Sequence, residues 1–244
     1  MKRMLLTISY DGTAYHGWQV QQNAVTVQSV LCDALGEILK TNVAVTGTSR
    51  TDAGVHAKEF TCHFDCPDNI PIEAFLKGLN SVLPSDIAVI DCKQVSNDFH
   101  ARYNAKGKTY CYNIYNSTKK DPFKLRYAWQ IERPLDIGKM NEFAKAIIGK
   151  HDFYAFSSSG RSAEDTVRTV SECFITKDGE DIKLTVTADG FLYNMVRIIA
   201  GTAVAVSDGR VKVEDLPQIF ASKDRNRLGV TAPANALFLE KVHY

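Results

Sequence analysis

The chain has 244 residues, 45% hydrophobic and 23% charged, the balance of a protein that can bury a good core as one large domain or two small ones. Its 29 basic residues face 28 acidic ones for a net charge of +1, which excludes a globally basic nucleic-acid binder but leaves room for a local basic face. The longest apolar stretch, Phe191 to Val206, is broken by Asn194, Arg197 and Thr202 and is short for a bilayer span.

The start, Met1 to Tyr10, is charged and then apolar. Its apolar part is too short for a signal peptide and lacks a small-residue cleavage site, so Lys2 to Tyr10 is read as a first strand and the protein is expected in the cytoplasm. The turn Tyr10-Asp11-Gly12-Thr13 leads into a polar, aromatic segment from Tyr15 to Asn23, where Trp18 is expected to pack and the glutamines to contact a partner. Thr26 can cap a helix with Val27, Val30, Leu31, Ala34, Leu35, Ile38 and Leu39 on one face. A strand from Val43 to Thr46, a loop, and a strand from Glu59 to Phe64 follow. Pro71 opens a second amphipathic helix bearing Ile72, Phe75, Leu76, Leu79, Val82 and Leu83, and Ile87 to Val95 is the next strand. The order β-α-β-β-α-β is the split arrangement of ferredoxin-like domains.

Composition turns polar and basic from Phe99 to Lys108, which puts the domain boundary there: residues 1–103 and 104–244. The second part reads as another β-α-β-β-α-β unit with insertions. Its elements are a strand from Thr109 to Tyr115, an extra strand from Arg126 to Ile131, and a helix capped by Asp136 with Leu135 and Met140 spaced as a hydrophobic staple. A loop from His151 to Val167, containing Ser157-Ser158-Ser159-Gly160-Arg161, is expected to be mobile. Strands from Thr169 to Thr176 and Ile182 to Thr187 flank a Lys177-Asp178-Gly179-Glu180 turn. An apolar helix from Phe191 and a closing strand from Leu237 to Val242 complete an α+β chain on an extended, largely antiparallel sheet.

The six cysteines show no Cys-x-x-Cys spacing and mostly fall in predicted elements, as small hydrophobes do. In Cys62-His63-x-x-Cys66 the first two residues are strand neighbours that point to opposite faces, so no metal site is expected.

Three features carry chemistry. The loop Gly47-Thr48-Ser49-Arg50-Thr51-Asp52-Ala53-Gly54-Val55-His56-Ala57 holds one base and one acid among small residues, which leaves a carboxylate accessible. Asp52 there is either the cap of its own turn or a reactive group. Arg197 sits in an apolar helix, where an unpartnered charge costs several kcal/mol. It either snorkels or meets a carboxylate, for which Asp52 is an attractive candidate. Tyr110 and Tyr112 share one face of a strand with Lys106 and Lys108 beside them, a combination that suits stacking on an unpaired base and equally suits two half-buried sheet tyrosines.

Together these stretches resemble a known family. Gly-x-x-Arg-Thr-Asp-Ala-Gly-Val-His-Ala, then Lys-x-Tyr-x-Tyr, then Phe-Leu-Tyr-Asn-Met-Val-Arg-Ile-Ile-Ala-Gly closely resemble the tRNA pseudouridine synthase A family. The Tyr-Asp-Gly-Thr-x-Tyr-x-Gly-Trp-Gln start, Phe99-His100-Ala101-Arg102 and His151-Asp152-Phe153 match as well. The resemblance implies an isomerase that converts uridine to pseudouridine at positions 38–40 of the tRNA anticodon stem-loop. It implies Asp52 as the catalytic nucleophile, Arg50 as the group that helps displace the target base, Tyr110 as the ring that stacks on uracil and takes the C5 proton, and Arg197 as the partner of Asp52. It also implies a homodimer without metal or organic cofactor. One departure is visible: Thr48-Ser49 stands where smaller residues are commoner, adding hydroxyls and bulk beside Arg50. The competing readings are a non-catalytic RNA-binding protein with two ferredoxin-like domains and, more weakly, a hydrolase with a covalent Asp52 intermediate.

Overall fold

Met4, Leu6, Ile8 and Tyr10 are buried at the two-residue period that a half-buried strand requires, and in a computed structural model they form β1 (Lys2–Tyr10). The structure describes residues 1–160 and 164–244. Chain contacts divide it into two units, Met1–Lys106 with Phe238–Tyr244 and Gly107–Leu237, and each is an α+β layer of helices on a largely antiparallel sheet.

In the first unit, Thr26 starts α1 (Val27–Leu39) through a reciprocal cap. Its hydroxyl accepts from the Ser29 N–H while the Ser29 hydroxyl accepts from the Thr26 N–H, both at 3.2 Å. The next strand is only β2 (Thr46–Gly47), shorter than Val43 to Thr46 suggested. The long β3 (His56–Cys66) pairs antiparallel with both β1 and β2. The second helix is a π turn, Ala74–Gly78, running into α2 (Leu79–Val82). The wider turn keeps Phe75, Leu79 and Leu83 buried but rotates Val82 outward. Strand β4 (Ile87–Val95) pairs antiparallel with β1, giving the order β4-β1-β3-β2 of the split arrangement. Trp18 is buried and stacks on Phe60 at 4.1 Å between centroids, as its sequence position suggested.

The closing strand Leu237–His243 groups with this first unit rather than with the second half. It runs parallel to β3, with Phe238 opposite His56 and Leu239 opposite Ala57. Its end is fixed by the Lys106 N–H on the His243 carbonyl at 2.8 Å and by the Tyr244 hydroxyl on the Ala101 carbonyl at 2.8 Å. Sequence order places the strand after the second half, and only the pairing reveals this assignment.

The second unit contains β5 (Gly107–Tyr115), α3 (Pro122–Leu125), β6 (Trp129–Gln130), α4 (Ile137–Ala146), β7 (Gly149–Asp152), β8 (Val167–Asp178), β9 (Asp181–Ala188), α5 (Met195–Ser207) and α6 (Leu216–Ser222). Its sheet runs β5-β9-β8-β7, all antiparallel, with the short β6 parallel to β5. The expected loop from His151 is partly ordered structure: β7 ends in it, and a 3-10 turn, Phe153–Phe156, buries two phenylalanines. Arg161 lies outside the described residues. Among the described residues no helix is long and apolar enough to cross a membrane. All six cysteines are free thiols, and burial pushes those of Cys92 and Cys173 up to about 12, which leaves them protonated and unreactive.

His63 on β3 is 6% exposed, and its Nδ1 accepts the Ala101 N–H at 3.1 Å. Burial first, then the nearby Arg3 and His100, push its pKa down from 6.5 to about 4. The folded state therefore holds the ring neutral while the unfolded chain protonates, so its contribution is complete above pH 6.5 and is lost as pH falls toward 4. In urea titrations, the wild type should lose about 2 kcal/mol more than His63→Gln between pH 7 and pH 5. Equal losses would remove His63 as the cause.

Candidate active site

The loop carrying Asp52 is tied by its backbone. The Thr48 N–H donates to the Thr61 carbonyl at 2.9 Å, and the Thr51 carbonyl accepts the Trp18 N–H at 3.2 Å. The Gly54 N–H reaches the Tyr15 carbonyl, and the Val55 N–H closes a turn on the Asp52 carbonyl, each at 3.2 Å. The Thr51 hydroxyl meets the buried Tyr10 hydroxyl at 2.9 Å. Two glycines make this closeness possible: a Cβ on Gly12 would stand 2.0 Å from the Val55 carbonyl oxygen, and one on Gly17 2.3 Å from that of Thr51. Asp52 is left half-buried and Arg50 exposed. Arg50 makes no hydrogen bond or ion pair with the described residues.

His56 closes the same segment. It is 1% exposed, lies flat on Phe238 with centroids 4.5 Å apart, and its Nδ1 is 3.0 Å from both the Gly12 N–H and an Asp11 carboxylate oxygen. A neutral ring accepts from Gly12, whereas a ring protonated at Nδ1 donates to Asp11. The motif residues Asp11, Gly12 and His56 thus serve the loop's support.

The Thr48-Ser49 pair faces inward. Thr48 is 1% exposed, and the Thr48 and Ser49 hydroxyl oxygens are buried without a hydrogen-bond partner among the described residues. The added bulk of Thr48 enters the core near Tyr244, whose phenol is already engaged by the Thr61 hydroxyl at 2.7 Å and the Ala101 carbonyl at 2.8 Å. Burial pushes the phenol's pKa up, and the Thr48 hydroxyl is close enough to pull it down but does not meet it in hydrogen-bond geometry.

In the second unit, Tyr110 on β5 is 7% exposed and meets Phe191 edge-on at 5.1 Å. Tyr112 is different: it is fully buried, and its hydroxyl donates to the Pro233 carbonyl at 2.9 Å. Burial raises its pKa, against the nearby charge of Arg197. Of the two readings of this pair, stacking face or sheet tyrosines, Tyr112 follows the second as a core residue, and Tyr110 is buried beside Phe191.

Arg197 is not in mid-helix. Helix α5 begins at Met195, with Asn194 as its N-cap in the left-handed region at φ 61°, so Arg197 is the third residue of the first turn. Apolar Phe191 and Leu192 looked helical, but they belong to the segment leading in. Arg197 Nε donates to the Ala232 carbonyl at 2.7 Å, and one terminal nitrogen donates to Asn194 Oδ1 at 2.8 Å. Asn194 Nδ2 in turn donates to the Ser158 hydroxyl at 2.9 Å. Asn194, Ser158 and Ala232 as holders of this arginine escaped sequence reasoning; the only local signal was an amide beside an arginine in an otherwise apolar run.

The segment bearing Ala232 lies against α5 through paired glycines. A Cβ on Gly201 would stand 1.8 Å from the Val230 carbonyl oxygen, and one on Gly229 2.2 Å from that of Gly201. The buried Thr202 hydroxyl accepts the Gly229 N–H at 3.1 Å. Of the residues singled out from sequence, Arg50 and Asp52 thus share one loop of the first unit, and Tyr110 and Arg197 belong to the second.

A family model described as "tRNA pseudouridine synthase" matches residues 6–104 and 143–244. The chain is 46% identical to "tRNA pseudouridine synthase A" of Thermoanaerobacter sp. and 45% identical to the protein of that name from Clostridium acetobutylicum. It is 43% identical to "tRNA pseudouridine synthase A 2" of Clostridium perfringens. Each similarity spans 244 residues and 100% of both chains.

Two substitutions test the supports. Gly201→Ala forces the 229–232 segment off α5 and should destabilise the fold by about 3 kcal/mol, at the upper end of overpacking costs, seen as a lower urea midpoint. Thr48→Val keeps the shape and removes an unsatisfied buried hydroxyl, so it should raise stability by about 1 kcal/mol with activity unchanged; a large loss of activity would mean that the hydroxyl has a partner in the working enzyme.

Proposed function

This chain belongs to the tRNA pseudouridine synthase family, an isomerase family, and on that premise we propose that it converts uridine to pseudouridine in the tRNA anticodon stem-loop with Asp52 as nucleophile. The observation that carries the assignment of Asp52 is the loop itself: its backbone is tied at several points while the carboxylate stays half-exposed. A loop held in this way presents its acid in one geometry and spends little entropy at the moment of reaction. Exposed Arg50, two residues away, supports a role in displacing the target base from its stack.

In this reading Asp52 attacks the uridine, the N1–C1′ bond breaks, the uracil turns, and a C5–C1′ bond forms as the Asp52 carboxylate is released. The C5 proton then leaves and N1 is protonated. Tyr110, held edge-on by Phe191, stacks on the uracil and takes the C5 proton. Arg197 is the counter-ion that keeps Asp52 anionic. Its place in the first turn of α5 supports this, because a cation there opposes the helix dipole and a nearby anion relieves it. The same reading carries the homodimeric state, the cytoplasmic location, and a reaction that uses no metal or organic cofactor.

Release of tritium from tRNA labelled at uracil C5 tests the reading. The native protein should release label, Asp52→Asn should fall by at least about 10³-fold, and Arg197→Met should fall by about 10²-fold with the fold retained. Tyr110→Phe should keep KM and lose kcat, whereas Tyr110→Ala should lose both. Release by Asp52→Asn at the native rate would overturn the assignment of the nucleophile. Binding of tRNA without any release by the native protein would favour the non-catalytic reading.

A further inference from the structure

We propose that Arg225, steadied by Thr231, is a binding site for a backbone phosphate of the RNA substrate, next to the nucleotide being modified. This rests on the synthase reading above and adds to it a residue outside the reacting set.

Arg225 opens a short 3-10 turn, Arg225–Arg227, capped by Asp224, whose carboxylate accepts the Asn226 N–H at 2.9 Å. That carboxylate is committed to the turn. The guanidinium of Arg225 is half-buried, and one of its terminal nitrogens donates to the Thr231 hydroxyl at 3.1 Å. No carboxylate pairs with it among the described residues. Burial alone acts on its pKa, and it acts downward.

Two other partly buried cations, Arg3 and Lys124, are treated differently. Arg3 holds Asp65 through two hydrogen bonds of 2.8 Å, and Lys124 holds Asp181 at 2.7 Å. Both are pushed up by those partners. A guanidinium withdrawn from water beside a neutral hydroxyl is an unfavourable arrangement. It becomes favourable when an anion arrives, and the planar fork of donors fits phosphate oxygens two at a time.

The location selects the anion. Thr231 is joined directly to Ala232, whose carbonyl accepts Arg197 Nε at 2.7 Å and whose N–H donates to the Arg197 carbonyl at 3.2 Å. Arg225 and Arg197 are therefore anchored on neighbouring residues, about 3.8 Å apart along the chain. A substrate whose base is worked on beside Arg197 brings its own phosphates to this segment. The ligand class is thus an RNA phosphodiester, and the function is to fix the strand.

The test uses the full-length protein and unmodified tRNA, with binding measured across a range of salt concentrations and tritium release measured in parallel. Arg225→Gln should weaken binding about 10-fold near physiological salt and make the slope of log K against log salt shallower by about 0.7 to 0.9, the loss of one phosphate contact. It should raise KM while leaving kcat at saturating tRNA within about 2-fold. Arg225→Lys, which keeps the charge but not the fork, should restore the slope and part of the affinity. An unchanged slope and KM, with only a lower melting temperature, would make Arg225 a peg for Thr231 and overturn the proposal. A fall in kcat at constant KM would also overturn it, since the residue would then act through Arg197. Because binding and its salt slope are read without turnover, failure of the phosphate site remains distinguishable from failure of the synthase reading, which would show as a native protein releasing no label.

Discussion

Arg197 stands where helix α5 is least hospitable to a cation. The first turn exposes N–H groups and the positive end of the dipole, and Met195, Val196, Ile198 and Ile199 around it are buried and apolar. Much of the second unit's local architecture follows from holding the guanidinium there. Asn194 takes a left-handed backbone, which costs a residue other than glycine some strain, and its side chain then reaches Arg197 on one side and Ser158 on the other. The Ala232 carbonyl comes close enough to accept from Nε only because Gly201 and Gly229 let two backbones touch. The glycine that ends the Ile-Ile-Ala-Gly motif therefore belongs to the arginine's support, although it lies a full turn further along the helix.

The loop of Asp52 solves a related problem by other means. A short polar loop has many backbone groups to satisfy, and here neighbouring segments satisfy them: Tyr15 and Trp18 from the opening motif, Thr61 from β3. Gly12 and Gly17 are placed against the carbonyls of Val55 and Thr51, on either side of the acid. The opening motif and the Asp52 loop are thus one object in space. Neither glycine needs to touch a substrate to be indispensable.

This explains how much of the protein was legible in its sequence. Helices α1 and α4 announce themselves by caps and periodicity, because Thr26 and Asp136 bond the N–H groups three residues on and the apolar stripe does the rest. The reach of Asp52 and Arg50 was legible too, since small neighbours and glycines at both ends leave few other shapes for that loop. What failed to show was whatever depends on distant pairing. The start of α5 was misread because buried apolar residues look alike in a helix and in the segment before it, and only the left-handed Asn194 separates them. Tyr112 was read with Tyr110 because strand alternation puts them on one face, but alternation says nothing of depth along that face. The partner of the closing strand could not be found from order alone.

Net charge was the least informative quantity of all, and the reason is physical. A value of +1 sums cations that have already been neutralised within the fold with cations that have not. Arg3 with Asp65, Lys58 with Glu240, Lys124 with Asp181, Arg133 with Asp208 and Lys223 with Asp152 are all paired at 2.7 to 2.9 Å, and exposed pairs of this kind contribute little to stability. Their effect is to cancel their own fields. What an approaching polyanion meets is the remainder, in which exposed Arg50 and half-buried Arg225 differ in kind: one is solvated and makes no hydrogen bond with the described residues, the other is partly withdrawn from water and tethered to the Thr231 hydroxyl. For the roles proposed, an untethered guanidinium suits displacement of a base and a tethered one suits registration of the strand. On the proposed function, the distribution of pairing, rather than the sum of charges, is therefore what lets a nearly neutral chain hold RNA.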